Sequence, residues 1–190
     1  GPIFTEADIS RIKLLKDAEY SVPIYSKSTK AAYEGKTEEA TIYATSEDVF
    51  PARNLKPVFG EIFSTSDISG RNKVVVIGPK IADKLFGDKK LAVGKKVRLE
   101  AQSFRVIGVL ESKGGGGFGG PDLDSFIYMP YKTAYTFNTD KKFIQILVKA
   151  KSETQVIALK DALKKELLKR FKEDDFSVVE STEILNAIGS

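Results

Sequence analysis

An α+β fold is predicted by three observations. The continuous apolar run Val74-Val75-Val76-Ile77 has the composition of a strand buried on both faces. Val156, Leu159, Leu163, Leu167 and Phe171 recur at helical spacing. Two pairs of extended segments, residues 20–31 with 37–45 and residues 96–100 with 104–110, are separated by turn residues and read as hairpins. Strands and helices are mixed without strict alternation, which is the α+β pattern.

In chain order, Thr5 reads as a helix cap with Asp8 three residues on, and Phe4 and Ile9 are spaced as a hydrophobic staple. Glu6 and Asp8 at the start and Lys13 and Lys16 at the end suit the helix dipole, so a first helix is expected to reach about Asp17. Glu34-Gly35 turns the first hairpin. Ser46-Glu47-Asp48 opens a short helix that ends before Pro57, and residues 58–67 read as loop anchored by Phe59, Ile62 and Phe63. After the 74–77 strand, Pro79 opens a helix and Gly87 closes it, with Ile81, Ala82, Leu85 and Phe86 as its apolar stripe. Ala101-Gln102-Ser103 turns the second hairpin.

The return strand of that hairpin runs into an almost pure glycine segment. A short strand over 125–129 follows and stops at Pro130. Residues 130–137 are expected to be a short helix and 143–150 a strand. Ser152-Glu153-Thr154-Gln155 reads as a capping box at the start of the long helix. A strand at 176–179 then completes a right-handed βαβ unit. Residues 183–188 are expected to begin a further helix.

The middle of the chain has shorter elements and more loop than its flanks. This predicts two lobes, one formed by residues 1–57 and 139–190 and one, mostly β, inserted as residues 58–138. With 42% hydrophobic and 29% charged residues, the composition is that of a globular protein. No apolar run approaches the roughly 18 residues that cross a bilayer. Gly1-Pro2 reads as a protease-cleavage scar, so a longer natural chain is expected.

The chain has no Cys and no His, which removes cysteine nucleophiles, histidine acid–base catalysis and Cys/His metal sites. Absence of Cys also suits an exported domain. The net charge of +4 permits attraction to anionic surfaces, but no block of five like charges occurs, and the lysines read as solvated helix faces.

The glycine segment is the candidate functional stretch. A phosphate-binding loop needs a Lys and a following helix, whereas Gly120 is followed by Pro121-Asp122 and a strand. A dinucleotide fingerprint fails for the same reason. The segment instead reads as a partner-docking loop of Lys113, Gly114, Gly115, Gly116, Gly117, Phe118, Gly119, Gly120 and Pro121, with Phe118 as its single large apolar anchor. The competing reading is a passive linker. Asp122 with Asp124, and Glu173-Asp174-Asp175, read as solvated turn formers rather than acid–base pairs or cation ligands. The aromatics among lysines over 128–143 read as core rather than a nucleic-acid platform. No cofactor, metal or nucleic acid is expected.

Motifs in order resemble the extracytoplasmic, or periplasmic core, domain of MacB-like ABC transporter permeases. Thr5-Glu6-Ala7-Asp8-Ile9 resembles the opening helix of that domain. Phe59-Gly60-Glu61-Ile62-Phe63 with Asp67 resembles its GR-x-F…D segment, with Glu61 where the family often has Arg. Val74-Val75-Val76-Ile77-Gly78, Ala82 and Leu85-Phe86-Gly87 resemble VVVLG…A…LFG, and Val93-Gly94-Lys95 resembles VGK. Phe104 with Val106-Ile107-Gly108-Val109, Asp124 with Met129-Pro130, and Asp174-Asp175-Phe176 supply the rest.

The resemblance implies a porter-like lobe containing the βαβ unit and built from both chain ends, with a mostly-β lobe inserted in it. It implies a non-enzymatic domain on the extracytoplasmic side of the cell membrane that transmits ATP-driven motion. It further implies a cytoplasmic ATPase subunit or domain, an adaptor (membrane-fusion) or carrier protein as partner, and a dimer in the full transporter, the isolated domain being a monomer. One membrane-spanning helix before this stretch and three after it are expected. A peptide- or lipid-sensing module is the alternative on the same fold.

Overall fold

The computed structural model describes residues 1–114 and 122–190. The chain forms two compact units, Gly1–Tyr25 with Asn138–Ser190, and Ser26–Phe137.

In the first unit, Thr5 caps α1 (Glu6–Lys13), and the reciprocal bonds with Asp8 complete a capping box. The helix stops at Lys13 rather than near Asp17, because the N–H groups of Leu14 and Leu15 turn back to the carbonyls of Arg11 and Ile12. The N-terminal part of β1 (Ala18–Tyr33) pairs antiparallel with β8 (Gln145–Ala150). Next comes α6 (Val156–Leu168), which buries Val156, Leu159, Leu163 and Leu167 and lies against α1 and β10. The expected capping box at Ser152 is not made. Its hydroxyl donates to Gln155 Oε1 at 2.8 Å, and a 3-10 turn precedes α6. Phe171 lies beyond the helix and meets Phe4 edge-on at 5.5 Å.

Of residues 183–188, expected to begin a helix, all but Glu183 lie in the strand β10 (Ile184–Gly189). Leu185 and Ala187 are buried while Ile184, Asn186 and Ile188 are half-buried, a period of two that too short a window disguised. Thr182, at φ 49°, turns the chain so that β10 lies antiparallel between β8 and β9 (Phe176–Ser181). The helix from β8 to β9 therefore joins parallel strands separated by β10, not neighbours.

In the second unit, β1 continues to the turn at Glu34-Gly35, both at positive φ, and returns as β2 (Lys36–Thr45). Residues 46–57 contain α2 (Val49–Ala52). The stretch 58–67, expected as loop, holds most of the short strand β3 (Pro57–Gly60) and the start of α3 (Thr65–Ser69), which Ser64 and Asp67 cap reciprocally. β4 (Val74–Ile77) is buried along its whole length, as its composition required. α4 (Pro79–Phe86) ends at Gly87 in the left-handed region. α5 (Lys89–Ala92) leads to the hairpin of β5 (Lys96–Leu99) and β6 (Gln102–Leu110), whose two-residue turn is Glu100-Ala101. β7 (Phe126–Pro130) follows, then a short 3-10 helix, Thr133–Thr136, within the stretch 130–137 expected as a short helix.

Strand neighbours in this unit run β2-β7-β4-β6-β5-β1, and pairing of β1 with β2 closes the circuit. β3 pairs with the end of β6. Pairing with β7 places residues 36–45 in this compact unit, which begins at Ser26. Tyr43, Phe50, Phe63 and Tyr128 pack edge-on or tilted against one another at its core, and burial pushes the Tyr128 phenol up.

Candidate partner-docking site

The glycine segment leaves β6 and enters β7, and its described ends are held by a single carboxylate. Asp124 is 5% exposed. Its Oδ2 accepts from the Ser112 hydroxyl at 2.6 Å, and its Oδ1 accepts from the Lys113 N–H at 2.8 Å. Outgoing and incoming stems are thereby tied to each other. Ser112 Oγ also accepts from the Gly114 N–H at 3.3 Å, and the Glu111 N–H donates to the Lys56 carbonyl.

Asp124 is fixed in turn. It lies in a 3-10 turn, Leu123–Ser125, capped by Asp122, whose Oδ1 accepts the Asp124 N–H at 3.2 Å. Asp122 Oδ2 meets Lys80 Nζ in the first turn of α4 at 2.6 Å. The Lys80 hydrogen bond holds the Asp122 carboxyl below the usual range, with Ser125 assisting. Gly78, just before α4, donates its N–H to the Phe126 carbonyl, and a Cβ there would overlap the backbone of Asp124. Only glycine allows that approach.

The two acids were expected as solvated turn formers; Asp122 caps its turn, but half-buried and paired with Lys80. Asp124 is not a solvated turn former, because its carboxylate points inward to the outgoing stem. Lys113 and Gly114 are the two members of the expected docking loop that lie among the described residues. Gly115, Gly116, Gly117, Phe118, Gly119, Gly120 and Pro121 lie outside the described residues. Sequence reading missed Ser112 and Lys80. The available signal was a hydroxyl and a carboxylate flanking a stretch that cannot brace itself.

The other motif residues are architectural. A β-bulge at Ile107 frees its carbonyl to accept from the Glu61 N–H at 2.9 Å. A Cβ on Gly60 would overlap that same carbonyl, and one on Gly108 would overlap the carbonyl of Glu61, so both glycines set how closely β3 meets β6. Asp67 is spent on the α3 cap and on Asn72. Gly94, at φ 93°, donates to the Val106 carbonyl. Among the described residues no group of three His, Cys, Asp or Glu side chains is arranged to hold a metal ion.

The motif residues placed in this α+β chain act through close backbone packing and local hydrogen bonds. The model of the MacB-like periplasmic core domain matches residues 1–166, and the chain belongs to this family of extracytoplasmic domains of ABC transporter permeases. It is 28% identical over 185 residues to a macrolide export ATP-binding/permease protein MacB of Hyphomonas neptunium, covering 97% of this chain and 28% of that protein. The chain thus spans less than a third of the length of that relative. Its fold is similar to the extracellular domain of the noncanonic ABC-type transporter YknZ from Gram-positive bacteria, at TM-score 0.71, 26% identity, and 82% and 78% coverage of the two chains. It also matches the periplasmic region of MacB from Actinobacillus actinomycetemcomitans, at TM-score 0.77, 21% identity, and 98% and 79% coverage.

Proposed function

We propose that the domain is non-catalytic and couples ATP-driven motion across the membrane to a partner or substrate outside. ATP hydrolysis then falls to a separate cytoplasmic subunit or domain, and the full transporter acts as a dimer. Residues 113–121 are the docking loop, with Phe118 as the anchor that meets an adaptor (membrane-fusion) or carrier protein. The porter-like role of the chain ends and the inserted role of the middle belong to the same reading. The chain crosses between units twice, within β1 and after Phe137, and two crossings suit a hinge.

The observation that carries the reading is the Asp124 clamp. Two stems that share one buried carboxylate fix where the loop leaves β6 and re-enters β7, so a partner held there acts on those strands and, through Asp122 and Lys80, on α4. The test replaces residues 114–118 by serines in the full transporter. Stability of the domain is expected to stay unchanged and ATP hydrolysis to persist, while transport falls. Normal transport would remove the segment from the docking role.

A further inference from the structure

A second surface in the same unit stands apart from the glycine segment. Three large hydrophobic side chains of this unit are exposed among the described residues, Val58, Leu91 and Val93, and two of them lie together at the end of α5. Leu91, 61% exposed, lines a groove of about 270 Å³ between the β1–β2 hairpin tip and the α4–α5 corner. The Tyr33 and Phe86 rings, 4.5 Å apart, and the buried Leu85 are its apolar part.

The surroundings are basic. Lys36 and Lys95 line the groove against one acid, Glu34, and Lys90 and Lys96 adjoin it in sequence. Nearby Lys84 and Lys89 are neutralised by Glu38 and Asp83. Among the described residues, Lys36, Lys90, Lys95 and Lys96 have no acidic partner within ion-pair distance, and all four are exposed. Asp88, the one acid between Lys84 and Arg98, is engaged in capping α5.

We infer that this groove docks an acidic segment of a partner protein that carries one apolar anchor side chain. Charge complementarity names the occupant: unpaired Lys36 and Lys95 line a recess with Tyr33, Phe86 and Leu91, and unpaired Lys90 and Lys96 adjoin it in sequence. The recess is below the usual drug-sized range of about 300–1,000 Å³ but suits one aromatic or branched side chain. Its walls on two sides favour an inserted anchor over a flat lipid surface. This site is independent of the docking role given to the glycine segment.

The test is a nuclear magnetic resonance titration of this chain with a short synthetic peptide carrying one Phe flanked by Asp and Glu. Expected are amide shifts at Tyr33, Phe86, Leu91 and Lys95, and affinity that falls with added salt. Leu91→Ser, and separately Lys36→Gln with Lys95→Gln, should each weaken binding about tenfold. Both changes sit on exposed side chains, and an unchanged spectrum elsewhere verifies the fold. Absence of binding would overturn the inference. So would equal binding of a peptide with Asn and Gln in place of its acids. Binding only to phosphatidylglycerol vesicles would overturn it in favour of a lipid surface.

Discussion

The two units each bury one carboxylate among the described residues, and the two are held by different chemistry. Asp8, 3% exposed, is held by two cations besides the Thr5 cap. Arg170 grips it through two hydrogen bonds, Nε to Oδ1 at 2.8 Å and Nη2 to Oδ2 at 2.7 Å, and Arg11 adds a third at 2.5 Å. Asp124 is held by neutral donors, a hydroxyl and an N–H. The first pairing joins α1 to the stretch after α6, residues 162 positions apart, and consolidates a fold. The second joins positions 11 and 12 apart and fixes the base of a loop. The difference teaches where each unit invests its buried charge: in holding elements together, or in positioning a surface.

Three measurements sharpen or break this contrast, in order of expected effect. Leu163, fully buried mid-stripe on α6, sets the scale for the first unit. Leu163→Ala should cost about 2–5 kcal/mol in denaturant unfolding, through lost burial and a cavity. An unchanged midpoint would show that this helix face contributes nothing to the core.

Asp8→Asn should come next, at about 2 kcal/mol. This is less than the loss from a fully buried pair, because the Arg170 side chain is 45% exposed. Its pH dependence gives a second readout. Burial would raise the Asp8 pKa, but the hydrogen bonds from Arg170 and Thr5 and the Arg170 charge outweigh it, and the carboxyl sits below its ordinary value. A lowered folded pKa stabilises above the unfolded value and is lost as pH falls through the folded one. Parent and variant should therefore converge in stability below about pH 4. A constant gap down to pH 2 would mean that the charge is not what holds Asp8.

Asp124→Ala should cost least globally, about 1 kcal/mol, since its donors are neutral and the stem beside it is exposed. Its effect should be local, as faster amide hydrogen exchange at Lys113, and functional, as reduced transport by the full protein. A loss of stability equal to that of Asp8→Asn, with transport intact, would make Asp124 a structural pin and erase the contrast.

Much of the fold was legible because it depends on neighbours in sequence. The Thr5 cap, the Pro79 start and Gly87 stop of α4, and the Glu34-Gly35 turn each complete their bonds within a few residues. The family motifs were legible too, although not for what they do. Gly60, Gly78 and Gly108 matter through the backbone they approach, and no local pattern names that backbone.

The sequence by itself determined the α+β class, the buried strand at 74–77, the apolar stripe of α6 and the absence of Cys and His chemistry. Local hydrogen bonding and side-chain periodicity suffice for these. Only the tertiary structure decided that residues 184–189 are a strand between β8 and β9, that residues 36–45 pair with β7, and that Asp124 turns inward. Each of these depends on a partner supplied by a distant segment, or by a buried geometry that forms only when the strands have assembled. The free energy that selects them is shared between positions that no window of sequence contains.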